Sequence, residues 1–260
     1  MSQAIHHRTV TMRQAGASRF TPPAAMLAAI RARAALVAER RPDGVSGPPM
    51  RHLLGELGSL ARPLRRVGRP AGEIAPAAEP CLVMLLPGFG THPVRMRHMA
   101  QELERAGHKV KRWGLGFNLG PTPENFAALA ARVQALHRRY GRKVVLVGWS
   151  LGGIFARELA KCHPDVVAKV ITMGSPFSGD PHANNAWRIY HLVTGHSVAA
   201  PPVGKDISAK PPVPTVALWS PRDGIVSPRS SCGRKDERDR AIALRCSHLG
   251  FAGSDEAIAA

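Results

Sequence analysis

The sequence predicts an α/β fold, a mostly parallel sheet with helices on both faces, and three observations predict it. Short apolar, β-branched runs alternate with longer segments of helical periodicity between residues 81 and 173. Turn-forming residues punctuate that alternation, as expected where strands hand over to helices. With 44% hydrophobic and 21% charged residues among 260, the chain has enough apolar mass to bury a sheet on both sides.

Taken in order, residues 1–20 carry His6, His7, Arg8, Arg13 and Arg19 without a continuous apolar segment, so they read as a flexible basic tail and not as a secretory signal. Residues 24–40 place Met26, Leu27, Ile30, Ala34 and Val37 at helical spacing, with Arg31 and Arg33 off that face. This predicts an amphipathic helix lying on the main domain, with a membrane-surface role as the alternative. Residues 41–80 alternate Pro and Gly breaks around one short helical segment, 52–61, and read mostly as linker. An N-terminal helical extension and linker, 21–79, therefore precedes a main domain at 80–260.

In that domain strands are expected at 81–86, 108–113, 143–148 and 168–173, and helices at 94–106, 123–140 and 151–163. Thr122, Pro123 and Glu124 form the expected cap of the second helix. Beyond Gly174, Ser175 and Pro176 the pattern breaks. Residues 177–214 are irregular and proline-rich around a short helix beginning at Trp187, which predicts a lid-like insertion above the sheet. Strands resume at 215–219 and 241–246.

Lys and Arg number 36 against 18 Asp and Glu, a formal charge of +18. Such a field attracts anionic surfaces. The basic residues are spread over the chain, however, and two Tyr with seven Phe make no aromatic platform, so a solvated basic surface is expected and nucleic acid is not. Peripheral contact with an anionic membrane suits the same surface. Cys81, Cys162, Cys232 and Cys246 lack paired metal-ligand spacing, so no metal is expected; Cys232 and Cys246 bracket a polar loop and a bridge between them is the minority reading. The most apolar run, 81–86, is too short to cross a bilayer, and the expectation is a cytoplasmic protein, membrane-peripheral if it meets lipid at all.

The chemistry gathers at Gly148-Trp149-Ser150-Leu151-Gly152, where a buried strand turns sharply into a helix with a serine at the tip. Such a turn holds the hydroxyl clear of the backbone and aims the succeeding N–H groups at any oxyanion that forms. Gly148 and Gly152 make the turn sterically feasible. Serine needs a base to take its proton and an acid to hold that base. Asp223 comes after the strand at 215–219 and His248 after the last strand, so the order is Ser, Asp, His.

That order, with these strand positions, resembles the α/β-hydrolase superfamily over residues 81–252, and more narrowly a bacterial esterase- and lipase-like group. The resemblance makes Leu85-Leu86-Pro87-Gly88-Phe89-Gly90 the oxyanion loop and assigns the oxyanion to the backbone N–H groups of Phe89 and Leu151. It implies a carboxylic-ester hydrolase without cofactor: Ser150 as nucleophile, His248 as base and Asp223 as its orienting acid. Apolar Phe89, Leu151 and a Trp187-containing lid suggest a hydrophobic acyl ester, with Trp149, Asn118 and Trp187 as substrate-pocket candidates, Asn118 also reading as a brace of the loop beside the site or a turn residue. Acyl transfer by the same residues, or a silent hydrolase fold binding anionic surfaces, are the alternatives. A small-molecule or lipid ester is the expected partner, and no obligate protein partner is expected.

Overall fold

The structure, a computed structural model, describes residues 24–60, 74–204 and 206–260. The expected basic tail, 1–20, and residues 61–73 of the expected linker lie outside the described residues.

Six strands form one sheet: β1 (Leu82–Leu86), β2 (Lys109–Arg112), β3 (Val144–Trp149), β4 (Val167–Met173), β5 (Thr215–Trp219) and β6 (Arg240–Ala243). Their spatial order is β2-β1-β3-β4-β5-β6, and every neighbouring pair is parallel. The chain first winds outward from β1 to β2, then returns to the other side of β1 for β3. The direction of winding thus reverses between β1 and β3, and the crevice beyond the carboxyl ends of strands at such a reversal is where open sheets bind ligands.

Alternation along the strands divides the core into two layers. Leu82, Met84 and Leu86 of β1 join Leu146 of β3 on one face, covered by Leu129 and Val133 of α4 (Pro123–Tyr140) and Phe155 and Leu159 of α5 (Leu151–Cys162). Val83, Leu85, Val145 and Val147 point the other way, against Met99 of α3 (Arg97–Arg105) and Ile258 of α8 (Asp255–Ala259). Central strands buried on both faces explain why the sequence shows continuous apolar runs there.

Local signals set the helix ends. The Thr122 hydroxyl accepts from the Asn125 N–H at 3.1 Å, Pro123 occupies the first turn, and Gly141 closes α4 in a left-handed conformation. The segment expected as one helix at 94–106 is a 3-10 turn, Pro93–Met96, leading into α3. The segment expected as a lid-like insertion contains α6 (Trp187–Thr194), and α7 (Pro228–Cys232) comes after β5.

Ahead of the sheet come α1 (Ala24–Ala38) and α2 (Met50–Leu60). The α1 helix rests on α6, but not through the apolar face expected from sequence: Met26, Leu27 and Ile30 are exposed. Polar groups make the contact instead, with Arg33 donating to the Leu192 carbonyl, Arg188 to that of Val37 and His191 Nδ1 to that of Leu36. The reason is composition: an alanine-rich helix is weakly apolar all round and presents no single stripe to bury. None of the described helices is long and apolar enough to cross a membrane.

Candidate active site

Ser150 sits beyond the carboxyl end of β3, with φ 54° and ψ −121°, and is the one non-glycine residue of positive φ among the described residues. That backbone costs on the order of 1–3 kcal/mol and persists only where its surroundings impose it. Here the Ser150 N–H donates to the Met173 carbonyl at 2.8 Å, and the Ser150 carbonyl accepts from the Gly153 N–H at 2.9 Å. The flanking glycines permit the fold-back. A Cβ on Gly148 would run into the Gly152 carbonyl, and one on Gly152 into the carbonyls of Leu86 and Pro87.

Asp223 and His248 meet from separate loops. His248 Nδ1–H donates to Asp223 Oδ2 at 2.7 Å, and both side chains are buried. The other carboxylate oxygen, Oδ1, accepts from the N–H groups of Ile225 and Val226, each at 2.8 Å, so the acid is fixed at both oxygens. Burial disfavours a charged His248, but the Asp223 charge and hydrogen bond, with the Glu56 charge behind them, outweigh it and raise the imidazole above the ordinary histidine value. The Trp149 ring lies 6.0 Å from that of His248, and its indole N–H donates to the His248 carbonyl. The serine turn and the histidine loop are therefore in direct contact.

Phe89 lines the same crevice from the loop after β1. Among the described residues its N–H has no hydrogen-bond acceptor. Asn118 shapes that loop from behind: its Nδ2 donates to the Pro87 carbonyl at 2.8 Å, its Oδ1 accepts from Gly120, and its own carbonyl accepts from the Gly90 N–H. Fully buried, Asn118 does not line the pocket, contrary to expectation; both ends of its amide are used on backbone. Trp149 is likewise beneath the pocket and not in its wall, because its indole is turned toward His248.

The pocket itself spans about 820 Å³ including its open mouth. Ser150, Leu151 and Ile154 line it together with Trp187 and Tyr190 of α6 and Ile225. Trp187 is thus the pocket candidate that the structure places in the wall. Apart from Ser150, Glu158 and Asn184, the lining is overwhelmingly apolar, as sites for apolar ligands are.

The family described as alpha/beta hydrolase fold matches residues 82–194. The mature lipase of Bacillus licheniformis superposes with a TM-score of 0.54 at 18% identity, over 73% of this chain and 91% of the lipase. The chain has the alpha/beta hydrolase fold. Over part of it, the chain is also similar to two proteins named pimeloyl-(acyl-carrier protein) methyl ester esterase. That of Vibrio cholerae is 32% identical over 108 residues, 41% of this chain and 40% of the relative. That of Edwardsiella ictaluri is 33% identical over 95 residues, 36% of each. The chain spans about two fifths of the length of these curated relatives. The family match includes Ser150 and Phe89 and stops short of Asp223 and His248.

Sequence reasoning missed one residue that reaches this hydrolase-fold site. Glu56, buried on α2, accepts from the N–H groups of Gly224, His248 and Leu249. Nothing local flags it, since a single glutamate on a short helix is ordinarily a solvated residue. Two further features outside the site have plain explanations. Glu39, His182 and His191 bring possible ligand atoms within 4.8 Å of one another, but His191 donates from Nδ1 to Leu36 and accepts at Nε2 from Val198, while His182 Nδ1 is paired with Asp180. A histidine with both nitrogens engaged has no lone pair to give a metal. Cys232 and Cys246 form no bridge: the Cys246 side chain packs in the core beside Leu244 and Phe251, and the Cys232 sulfur faces Arg238.

Proposed function

We propose that the protein is a serine hydrolase that cleaves carboxylic esters of hydrophobic acyl groups. The observation that carries this reading is the strained Ser150 turn opening on an apolar pocket, with the Asp223–His248 pair gripped by the residue next to that serine. In this reading His248 Nε2 takes the Ser150 proton as the hydroxyl oxygen attacks the acyl carbon. Asp223 holds the ring so that Nδ1 carries the proton and supports the imidazolium that forms. The N–H groups of Phe89 and Leu151 receive the oxyanion, at the N-terminus of α5, where the helix dipole also favours negative charge. His248 returns the proton to the leaving alcohol, and water, activated by the same imidazole, releases the acid. No step calls for a cofactor.

The apolar walls support an acyl chain lying between Trp187, Tyr190 and Ile225. Exposed Ile189 and Leu192, with Arg33 and Arg188 nearby, support contact of this face with an anionic lipid surface. Both readings are tested together. A chain-length series of p-nitrophenyl esters should give turnover, a fluorophosphonate probe should label the wild type, and Ser150→Ala should abolish both; labelling of Ser150→Ala at the wild-type rate would overturn the assignment. Cosedimentation with anionic but not neutral vesicles checks the surface.

A further inference from the structure

Glu56 is 3% exposed, and a carboxylate that deep is costly unless hydrogen bonds replace its water. Its partners are all backbone N–H groups. Oε1 accepts from Gly224 at 2.9 Å and from His248 at 2.7 Å, and Oε2 accepts from Leu249 at 2.8 Å. One of these residues is next to Asp223 in the chain, another is His248 itself. The carboxylate therefore joins the loop after β5 to the loop after β6.

The approach of α2 to these loops has its own provision. A Cβ on Gly224 would run into the His52 carbonyl and the Leu53 nitrogen, so only glycine lets the helix come this close. Asn185 Nδ2 donates both to Pro48 ahead of the helix and to the Gly224 carbonyl, at 3.0 and 2.9 Å. Arg41 donates to the Asn184 carbonyl at 2.9 Å. The segment before α2 is stitched to the same place as Glu56.

Resting on the triad reading above, we propose that Glu56 is a positioning residue: its carboxylate ties the acid loop to the histidine loop and sets a second negative charge behind His248. The 2.7 Å contact between His248 and Asp223 needs two loops from different strands in register, and one buried acceptor shared by both imposes it. The charged groups acting on the imidazole are Asp223, from the loop after β5, and Glu56, from α2; Trp149 and Phe251, the rings packed against it, are uncharged. A helix 192 positions earlier in sequence thus becomes part of the catalytic apparatus.

Glu56→Gln in the full chain tests this. Glutamine keeps the shape but offers one acceptor oxygen, and its NH₂ faces an N–H donor. Turnover of a p-nitrophenyl ester should fall on the order of tenfold with KM within about twofold. The titration of His248, tracked by NMR of its imidazole protons, should move to lower pH, because a nearby negative charge has gone. Glu56→Asp keeps the charge on a shorter arm: its midpoint should stay near that of the wild type while turnover falls. A glutamine variant with wild-type turnover and midpoint, altered in thermal stability alone, would make Glu56 a mere anchor for α2 and overturn the proposal. If the glutamine variant does not fold, wild-type turnover in Glu56→Asp overturns it equally. A wild type that neither hydrolyses esters nor reacts with the fluorophosphonate would defeat the hydrolase reading alone, since the imidazole titration still reads the Glu56 charge.

Discussion

The indole N–H of Trp149 donates to the carbonyl oxygen of His248 across 3.0 Å, joining residues 99 positions apart. The residue beside the proposed nucleophile thereby holds the loop of the proposed base. Trp149→Phe keeps an aromatic ring but removes the shorter of the two hydrogen bonds that carbonyl accepts, leaving the one from the Phe251 N–H at 3.3 Å, at an expected cost of about 0.5–1.5 kcal/mol in urea denaturation. Turnover should fall more than KM rises, because the ring contact with the histidine loop survives while its placement loosens.

The raised His248 pKa fixes the direction of the pH response. A general base must be neutral, so kcat/KM should fall as pH drops through the folded value, which lies above the ordinary histidine value of about 6.5. Asp223→Asn removes the charge that raises it most, so the imidazole should titrate at lower pH while activity collapses through loss of the oriented tautomer. Initial rates across pH, paired with an NMR titration, separate the two effects.

Arg157 is buried on α5 and donates to the carbonyls of Ile207, Ser208, Ala209 and Glu237, with its guanidinium 4.1 Å from the Phe177 ring centroid. Burial pushes it down to about 10 against the opposing charges of Glu158, Glu237 and Asp206, so it stays a cation near neutrality, with Nε and Nη2 paired to carbonyls and Nη1 without a partner among the described residues. Arg157→Met leaves those oxygens unpaired in the interior. A loss of roughly 3 kcal/mol or more is expected in thermal unfolding, with faster hydrogen exchange at 207–209, where the insertion rejoins the sheet.

Ile154 lines the same pocket as Ser150. Ile154→Trp should fill part of the pocket, lowering kcat/KM for long-chain esters by more than about tenfold while short esters change little, since each methylene that a pocket excludes forfeits about 1 kcal/mol or more. A chain-length series on both proteins checks this, and an equal loss on all esters would place the acyl chain elsewhere.

Elements with strong periodicity were legible in the chain. Pro123–Tyr140 and Thr215–Trp219 fall where cap, spacing and β-branching place them, and Asp223 and His248, singled out from their places after strands, meet at 2.7 Å. Pro228–Cys232 and Asp255–Ala259 were not, since five residues are too few to show a helical period. Asn118 does brace the loop beside the site, as one sequence reading had it, but it does not line the pocket; only the paths of Pro87 and Gly120 show that its amide is used on backbone. The Pro and Gly breaks after residue 40 read as linker, yet Arg41 and the Pro48 carbonyl find partners at Asn184 and Asn185.

By itself, then, the sequence determined those features that depend on order along one chain: a parallel sheet from alternating periods, and a serine turn from glycines that alone tolerate its close approach. The tertiary structure decided the features that depend on contact between distant segments. Glu56 meets Gly224 and His248 across 168 and 192 positions, and no local pattern encodes such a meeting, because a carboxylate is buried only where the fold brings enough N–H groups to replace its water.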